Sequence, residues 1–261
     1  HEARVPTIAT MVPRAAYTWV TARLRGEVSI PLVTSNRINM PDVAERVLSG
    51  GDADMVSMAR PFLADPNWVK KAEANTPDRI NTCIACNQAC LDLIFQNKRA
   101  SCMVNPLACY ETEVSLEATP QPKRIAVVGA GPAGLAFSTT AAERGHTVTL
   151  FDAASEIGGQ FNMAKRIPGK EEFYETLRYF GVRIKETGVD LQLNTLVDAD
   201  ALSDGYDAVI LATGVTPRKL DLPGIDHPSV LSYIDVLKNN APVGKRVALI
   251  GAGGIGFDVA E

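Results

Sequence analysis

Short apolar runs alternate with amphipathic stretches along the first 75 residues of this chain. The apolar, β-branched run Ile30–Thr34 and the short segment Ala53–Met58 predict two strands. Between them, a pattern that Pro41 opens and Gly50–Gly51 closes predicts a helix, and Ala59–Leu63 is expected to form a loop. Consecutive strand–loop–helix units indicate parallel strands with crossover helices, which occur both in barrels and in open sheets.

From Arg124 onward the pattern changes to a regular strand–helix–strand unit. Ile125–Val128 and Thr147–Phe151 predict buried strands, and Ala133–Arg144 predicts the helix between them. Further strands are predicted at Leu191–Leu193, Ala208–Leu211 and Lys245–Ile250. Because residues 76–118 have no clear periodicity, the pattern predicts an α/β protein with an irregular segment between two parallel-sheet parts.

Composition narrows the class of protein. The 261 residues are 46% apolar and carry a formal charge of −4. The chain has no basic block and no run of about 18 apolar residues, so we expect no nucleic-acid partner and no membrane span. It begins at His1 and stops five residues after the third glycine of a second glycine-rich loop, which predicts an internal piece of a longer enzyme. The sequence does not indicate an oligomeric state.

Five cysteines lie in the irregular segment, four of them in the pattern C-x2-C-x3-C-x11-C. Three bunched thiols and a fourth after a short loop are typical of iron–sulfur ligation, whereas structural zinc more often uses two separated pairs. Zinc and a disulfide framework remain alternatives, although an odd count fits disulfides poorly. Because thiol ligands persist in a reducing compartment, we expect the protein to be located in the cytoplasm. The candidate ligands are Cys83, Cys86, Cys90 and Cys102, while Cys109 is expected to be a small buried apolar residue.

A glycine-rich loop follows the first strand of the second part. In its G-x-G-x-x-G pattern, Gly129 permits a tight turn, Gly131 lets a pyrophosphate approach the backbone, and Gly134 lets the helix pack on the strand. Asp152, 18 residues after the last glycine, is suitably placed to bind ribose hydroxyls. A tight turn without a ligand is the alternative, but strand, loop, helix and acid together favour a dinucleotide site.

A second loop of the same type contains Gly251, Gly253 and Gly256. The segments Gly158–Gln160 and Leu211–Gly214 resemble flavin-dependent domains of the disulfide-reductase type, in which the first loop binds FAD and a second binds NAD(P)H. We therefore expect FAD at the first loop and a nicotinamide cofactor at the second.

Two arginines follow the two strands of the first part. Arg37 and Arg60 stand where the loops after neighbouring barrel strands commonly bind phosphate, and a guanidinium can bind a phosphate with two hydrogen bonds. Either arginine alone is equally well explained as a solvated loop residue, but their occurrence on consecutive units favours a flavin mononucleotide site. His1 is a candidate proton donor to a substrate carbanion, since histidine titrates near neutrality.

Longer segments resemble the bacterial NADPH-dependent 2,4-dienoyl-CoA reductases, which are old-yellow-enzyme-type proteins with an attached iron–sulfur and FAD module. These segments are His1–Thr7, Ser57–Asp65, Asn81–Cys90, Gly158–Asn162, Ile167–Thr176 and Ala241–Lys245. The resemblance implies four parts in order: the C-terminal part of an FMN-binding (β/α)8 TIM barrel over residues 1–75, an iron–sulfur segment and linker over 76–118, a Rossmann-like FAD domain over 119–220, and the start of an NADPH domain over 221–261.

The resemblance also implies roles for individual residues. It assigns a [4Fe–4S] cluster to the four candidate cysteines and the catalytic histidine to His1, with a partner tyrosine upstream of the chain. FMN contacts fall on Arg37, Ala59 and Arg60, and FAD contacts fall on Ala133, Asp152, Gln160, Lys170 and Val197. The implied reaction carries electrons from NADPH through FAD, the cluster and FMN to an acyl-CoA thioester in unsaturated fatty acid β-oxidation.

Other functions are also compatible with the sequence. An enoate reductase or an amine dehydrogenase of the same group would keep the architecture and change the substrate pocket. A non-catalytic electron-transfer module would contain FAD and the cluster but no FMN, and a zinc-containing flavoprotein would contain no sulfide. The piece by itself is expected to be inactive, because it lacks half of the barrel.

Overall fold

The computed structural model describes residues 9–218 and 220–261, so the candidate catalytic His1 lies outside the described residues. The chain forms two compact units, and a segment within the second half folds with the first unit. The first unit comprises the chain up to Glu117 together with Glu172–Glu186, and the second comprises Ala118–Glu171 and Thr187–Glu261.

The first unit contains a two-stranded parallel sheet joined by a helix. After helix α1 (Thr18–Leu24), strand β1 (Val33–Ser35) pairs in parallel with β2 (Met55–Ser57), and α2 (Pro41–Ser49) crosses between them. Helix α2 can start with proline because the first turn needs no N–H donor. Its inner face packs into a core formed by Ile38, Met40, Val43, Ala44, Trp68 and Ile80. The predicted parallel strands and their crossover helix are thus confirmed.

A short helix replaces the loop predicted at Ala59–Leu63. Helix α3 (Arg60–Ala64) has Pro61 in its first turn, and the N–H of Phe62 donates to the carbonyl oxygen of Ala59 at 3.0 Å. The loop prediction was wrong because a proline in the first turn starts a helix at little cost, whereas one in the interior would break it. The following elements are α4 (Trp68–Glu73), a 3-10 turn at Pro77–Arg79 and α5 (Leu91–Phe95).

The second unit contains a four-stranded parallel sheet in the order β5-β4-β3-β6. Helix α6 (Pro132–Glu143) joins the two central strands, and Leu135 on this helix is fully buried. The strands are β3 (Arg124–Val128), β4 (Thr147–Phe151), β5 (Asp190–Gln192) and β6 (Ala208–Leu211), and the shorter helices are α7 (Phe161–Ala164), α9 (Tyr233–Leu237) and α10 (Gly254–Ala260). The predicted α/β class with parallel sheets is therefore confirmed.

The segment Lys245–Ile250 does not form the predicted strand. Its apolar side chains are exposed, with Val247 at 62% and Ile250 at 71%. A strand exists only through hydrogen bonds to a neighbouring strand, and none of the described residues pairs with this segment. The apolar pattern alone was therefore insufficient for the prediction.

A 15-residue helix, α8 (Phe173–Thr187), lies where the hydrophobic pattern predicts no element. It falls within the sequence expected to form the FAD domain, but nearly all of it belongs to the first compact unit. Its side chains Thr176 and Ile184 are buried. Among the helices that the structure describes, none is both long and apolar enough to cross a membrane.

Candidate cofactor sites

The four cysteines of the C-x2-C-x3-C-x11-C pattern line one pocket of the first unit, which we call the cysteine pocket. Cys83 and Cys90 are buried, and all the cysteines, each of which is described, are free thiols. The N–H of Ser101 donates to the carbonyl oxygen of Ala89 at 2.6 Å, which closes the loop that returns Cys102 to the other three. The structure therefore brings the candidate ligands together and contains no disulfide framework.

Backbone N–H groups bond to the cysteine sulfurs. Ala85 donates to Cys83, and Gln88 donates to Cys86. Ala85 and Asn87 have positive φ angles of 52° and 63°, a conformation that presents successive N–H groups on one side of a turn. Such donors stabilise thiolates and, in iron–sulfur proteins, help to set the reduction potential.

Burial acts against ionisation of the same thiols. It raises the pKa of Cys83 to about 11, and it also raises the pKa of Cys86 and Cys102, while the charge of Arg60 lowers the pKa of the first two. In these three thiols burial therefore favours the protonated form. Within the described residues, no group of three Cys, His, Asp or Glu side chains could bind a single metal ion. Four cysteines that line one pocket match the ligand number of an iron–sulfur centre. Cys109 does not line it.

A second pocket, which we call the flavin pocket, lies at the carboxyl ends of β1 and β2. Residues 35–39 and 57–61 line it together with Cys83, so the predicted FMN contacts Arg37, Ala59 and Arg60 come together there. Its cavity measures about 160 Å³. Pockets that enclose a whole small ligand measure roughly 300 to 1,000 Å³, so this cavity is too small to enclose such a ligand completely.

Two residues line both pockets. Arg60 and Cys83 belong to the walls of the cysteine pocket and of the flavin pocket. Arg60 also reaches the cysteine loop directly, because its Nη1 donates to Oδ1 of Asn87 at 2.5 Å. The two pockets are therefore neighbours, with a guanidinium and a candidate metal ligand in their common wall.

Arg37 lines the flavin pocket, but its side chain is engaged inside the protein. The residue is 5% exposed, Nε donates to the carbonyl oxygen of Val12 at 2.6 Å, and Nη2 donates to Oε1 of Glu172 at 2.8 Å. These bonds occupy donors that the predicted two-bond phosphate contact would use. A phosphate contact of Arg37 would have to come from its remaining N–H groups.

Glu172, at the start of the segment that carries α8, is a site residue that the sequence patterns did not indicate. It is 5% exposed and accepts hydrogen bonds from Arg14 at 2.6 Å, Arg37 at 2.8 Å and Asn39 at 3.0 Å. Burial acts to raise its pKa, but the two guanidinium groups outweigh burial and hold the pKa below its ordinary value. No local pattern could reveal this residue, because 135 positions separate it from Arg37.

The first glycine-rich loop of the second unit has the geometry of a dinucleotide-binding turn. Gly129 has φ +108°, and a Cβ there would lie 2.3 Å from the carbonyl oxygen of Ala212. A Cβ on Gly134 would lie 1.8 Å from the carbonyl oxygen of Gly129, so the helix can approach the strand only without a side chain. Around Gly131, by contrast, a Cβ would meet nothing within 4 Å. That open position is where a pyrophosphate approaches the backbone in such loops.

The loop is held by the acid at the end of β4. Asp152 accepts from the N–H of Ala130 at 2.6 Å and from the N–H of Ala154 at 2.7 Å. This is a structural role in addition to the predicted contact with a ribose. The predicted contact Gln160 lies in a segment that folds back on the loop, and its amide donates to the carbonyl oxygen of Val215 at 2.5 Å.

The other implied FAD contacts are spread over the second unit. Ala133 is exposed in the first turn of α6, and Val197 is half-buried beyond β5. Lys170 forms an ion pair with Asp258, at 2.6 and 2.7 Å from its two carboxylate oxygens. A common FAD site for these residues stays a prediction.

The second glycine-rich loop repeats the geometry of the first. Gly251 has φ +118°, a Cβ on Gly256 would lie 2.2 Å from the carbonyl oxygen of Gly251, and a Cβ on Gly253 would meet nothing within 4 Å. The turn therefore forms although the segment before it is not a strand.

Residues 123–261, more than half of the chain, match the family described as pyridine nucleotide-disulphide oxidoreductase. The chain belongs to the pyridine nucleotide-disulphide oxidoreductase family. Residues 1–79 match a second family, NADH:flavin oxidoreductase / NADH oxidase. In this chain the pyridine nucleotide-disulphide oxidoreductase part thus follows an old-yellow-enzyme-like segment, and the two matches support flavin-binding and pyridine-nucleotide-binding domains.

The curated relatives of this chain are oxidoreductases, among them reductases and dehydrogenases. A metal reductase of Desulforamulus reducens is 38% identical and covers 100% of this chain, and a bilirubin reductase of Mediterraneibacter gnavus is 35% identical and covers 98%. A solved complex of 2-naphthoyl-CoA reductase with 2-naphthoyl-CoA matches with a TM-score of 0.93 at 32% identity over 97% of this chain. The chain spans only 39–40% of these relatives' own lengths. They support a flavin-dependent oxidoreductase of the old-yellow-enzyme-like group and do not specify 2,4-dienoyl-CoA as a substrate.

Proposed function

We propose that this chain is part of a cytoplasmic, NADPH-dependent 2,4-dienoyl-CoA reductase that contains FAD, a [4Fe–4S] cluster and FMN and acts in unsaturated fatty acid β-oxidation. The observation that carries the proposal is the common wall of the cysteine and flavin pockets, formed by Arg60 and Cys83. A cluster and a flavin bound in these pockets would be neighbours. Direct electron exchange between them requires that arrangement.

The chain's own residues suit these groups in different ways. Cys83, Cys86, Cys90 and Cys102 would bind the cluster, and the guanidinium of Arg60 would offset negative charge from both the thiolates and a flavin phosphate. The open backbone at Gly131 and Gly253 would admit pyrophosphates of FAD and NADPH. When bound, the cofactors supply the change between two-electron hydride transfer and one-electron transfer.

The acyl-CoA substrate class is supported by one solved neighbour. The solved 2-naphthoyl-CoA reductase complex contains a CoA thioester, and its fold matches 97% of this chain. His1 would supply the proton that a reduced carbon–carbon double bond needs, a role that rests on the family resemblance.

The decisive experiment is cofactor and activity analysis of the full-length protein purified without oxygen. We expect about four iron and about four sulfide ions per chain, with one FMN and one FAD. NADPH oxidation should depend on a 2,4-dienoyl-CoA and should be slower with a free enoate or with a methylated amine.

Each alternative gives a different result in the same experiment. Turnover of a free enoate or an amine without turnover of any acyl-CoA would indicate a reductase or dehydrogenase with another substrate. FAD and a cluster without FMN, and no turnover, would indicate an electron-transfer module. Zinc without sulfide would contradict the cluster, and a preference for NADH would contradict the cofactor choice.

A further inference from the structure

One buried carboxylate joins three separate segments of the first unit. Glu172 is 5% exposed, and its two oxygens accept bonds from Arg14 Nε at 2.9 Å and Nη2 at 2.6 Å, from Arg37 Nη2 at 2.8 Å and from Asn39 Nδ2 at 3.0 Å. Two of these donors, Arg37 and Asn39, lie in the loop that lines the flavin pocket. The carboxylate therefore restrains the wall of that pocket from behind.

Asn39 extends this restraint to the cysteine pocket. Its Nδ2 also donates to the carbonyl oxygen of Cys83 at 3.0 Å, and the residue is 2% exposed. Because the carboxylate of Glu172 and the carbonyl of Cys83 can only accept, the amide NH2 must face both of them. A chain of hydrogen bonds thus runs from the carboxylate to the backbone of a candidate cluster ligand.

Helix α8, which follows Glu172, forms hydrogen bonds with the residues that immediately precede Cys83. On α8, Arg178 Nη2 donates to the carbonyl oxygen of Ile80 at 2.7 Å and to Oγ1 of Thr82 at 3.0 Å. Thr82 immediately precedes Cys83 in the chain. The segment Glu172–Glu186 therefore contacts the chain just before Cys83 directly, and it reaches the carbonyl of Cys83 through Asn39.

We propose that Glu172 is a positioning residue that aligns the flavin pocket with the cysteine pocket. It holds Arg37 in the wall of the flavin pocket and, through Asn39, holds the backbone of Cys83 in the wall that the two pockets share. This inference rests on the proposed function. It assigns a role to a carboxylate that lines neither of the two pockets.

The test compares Glu172→Gln with Glu171→Gln in the full-length protein purified without oxygen. Glutamine keeps the size of the side chain but removes the charge that binds two guanidinium groups. Glu171 is exposed and accepts one local bond from Gly169, which glutamine retains, so its variant is the matched control. The measurements are FMN retained after dialysis, the electron paramagnetic resonance spectrum of the reduced cluster, FAD content and thermal unfolding.

We expect Glu172→Gln to bind FMN about tenfold or more weakly and to show a shifted cluster spectrum, while FAD content stays at the wild-type level. Glu171→Gln should match the wild type in all four measurements. A folded Glu172→Gln protein with only a lower unfolding temperature, and with unchanged FMN affinity and cluster spectrum, would overturn the inference.

A second variant decides the case if Glu172→Gln does not fold. Asn39→Leu keeps a similar volume, leaves the Arg37–Glu172 pair in place and removes the bond to Cys83, so the cluster spectrum should shift. An unchanged spectrum would refute the proposed alignment. A wild-type protein that contains neither FMN nor cluster would refute the proposed function itself, which separates the two failures.

Discussion

Replacing single glycines of the first nucleotide loop by alanine should separate folding from FAD binding. At Gly134 the new Cβ would lie 1.8 Å from the carbonyl oxygen of Gly129, whereas carbon–oxygen contacts are normally about 3.3 Å or longer. The backbone must therefore move by more than an ångström, and overpacking of this severity should cost about 3 kcal/mol of unfolding free energy or more.

At Gly131 the same substitution should leave the fold intact. A Cβ there meets nothing within 4 Å, and the backbone angles, φ −74° and ψ 179°, suit alanine. Because alanine restricts the unfolded chain, the protein without FAD should be unchanged or more stable by up to about 1 kcal/mol. The methyl group would instead occupy the space of the pyrophosphate. Loss of one hydrogen bond to a charged group, about 1.5–3 kcal/mol, corresponds to FAD binding weakened about 10- to 150-fold.

The assay combines calorimetric unfolding of the FAD-free full-length protein with FAD titration of each variant. Gly134→Ala should lower both the stability of the second unit and its FAD affinity, whereas Gly131→Ala should lower only the affinity. Wild-type affinity in Gly131→Ala, or equal destabilisation by both substitutions, would refute the assignment of this loop to a pyrophosphate.

Three further predictions concern the first unit. Cys102→Ser should lose most of the cluster's iron and sulfide while Cys109→Ser retains both, and a full cluster in the first variant would exclude Cys102 as a ligand. Because the fold lowers the pKa of Glu172, the ionised carboxylate should stabilise the protein above pH 4.5, the ordinary pKa of a glutamate, and this stabilisation should be lost as the pH falls below that value. In Glu172→Gln the unfolding free energy should depend less steeply on pH in that acidic range. Arg178→Met should lower the unfolding free energy, measured by chemical denaturation, by about 3 kcal/mol because carbonyl oxygens lose their hydrogen-bond donor. The control Lys185→Met, at an exposed position of the same helix, should change the unfolding free energy by less than about 0.5 kcal/mol.

The elements that could be predicted are those with a local signal. Strands β3 and β4 and helix α6 follow from apolar runs and a glycine pattern that lie within about thirty residues of each other. Two predictions of secondary structure were wrong. The loop predicted where Arg60–Ala64 forms a helix failed for a local reason, and the strand predicted at Lys245–Ile250 failed for a non-local one. In the first, the position of Pro61 within a turn determined its effect, and in the second a strand required a partner that the described residues do not supply.

The sequence by itself predicted the chemical types of the candidate sites, because cysteine spacing and glycine loops are short motifs whose residues lie close together in the chain. Only the tertiary structure decided that Arg60 and Cys83 share a wall, and that Glu172 reaches Arg37 across 135 positions. The physical reason is that such contacts depend on how distant segments pack. The partners of a buried charge come from segments that are distant in the sequence, so the residues next to it in the chain show no pattern that predicts them.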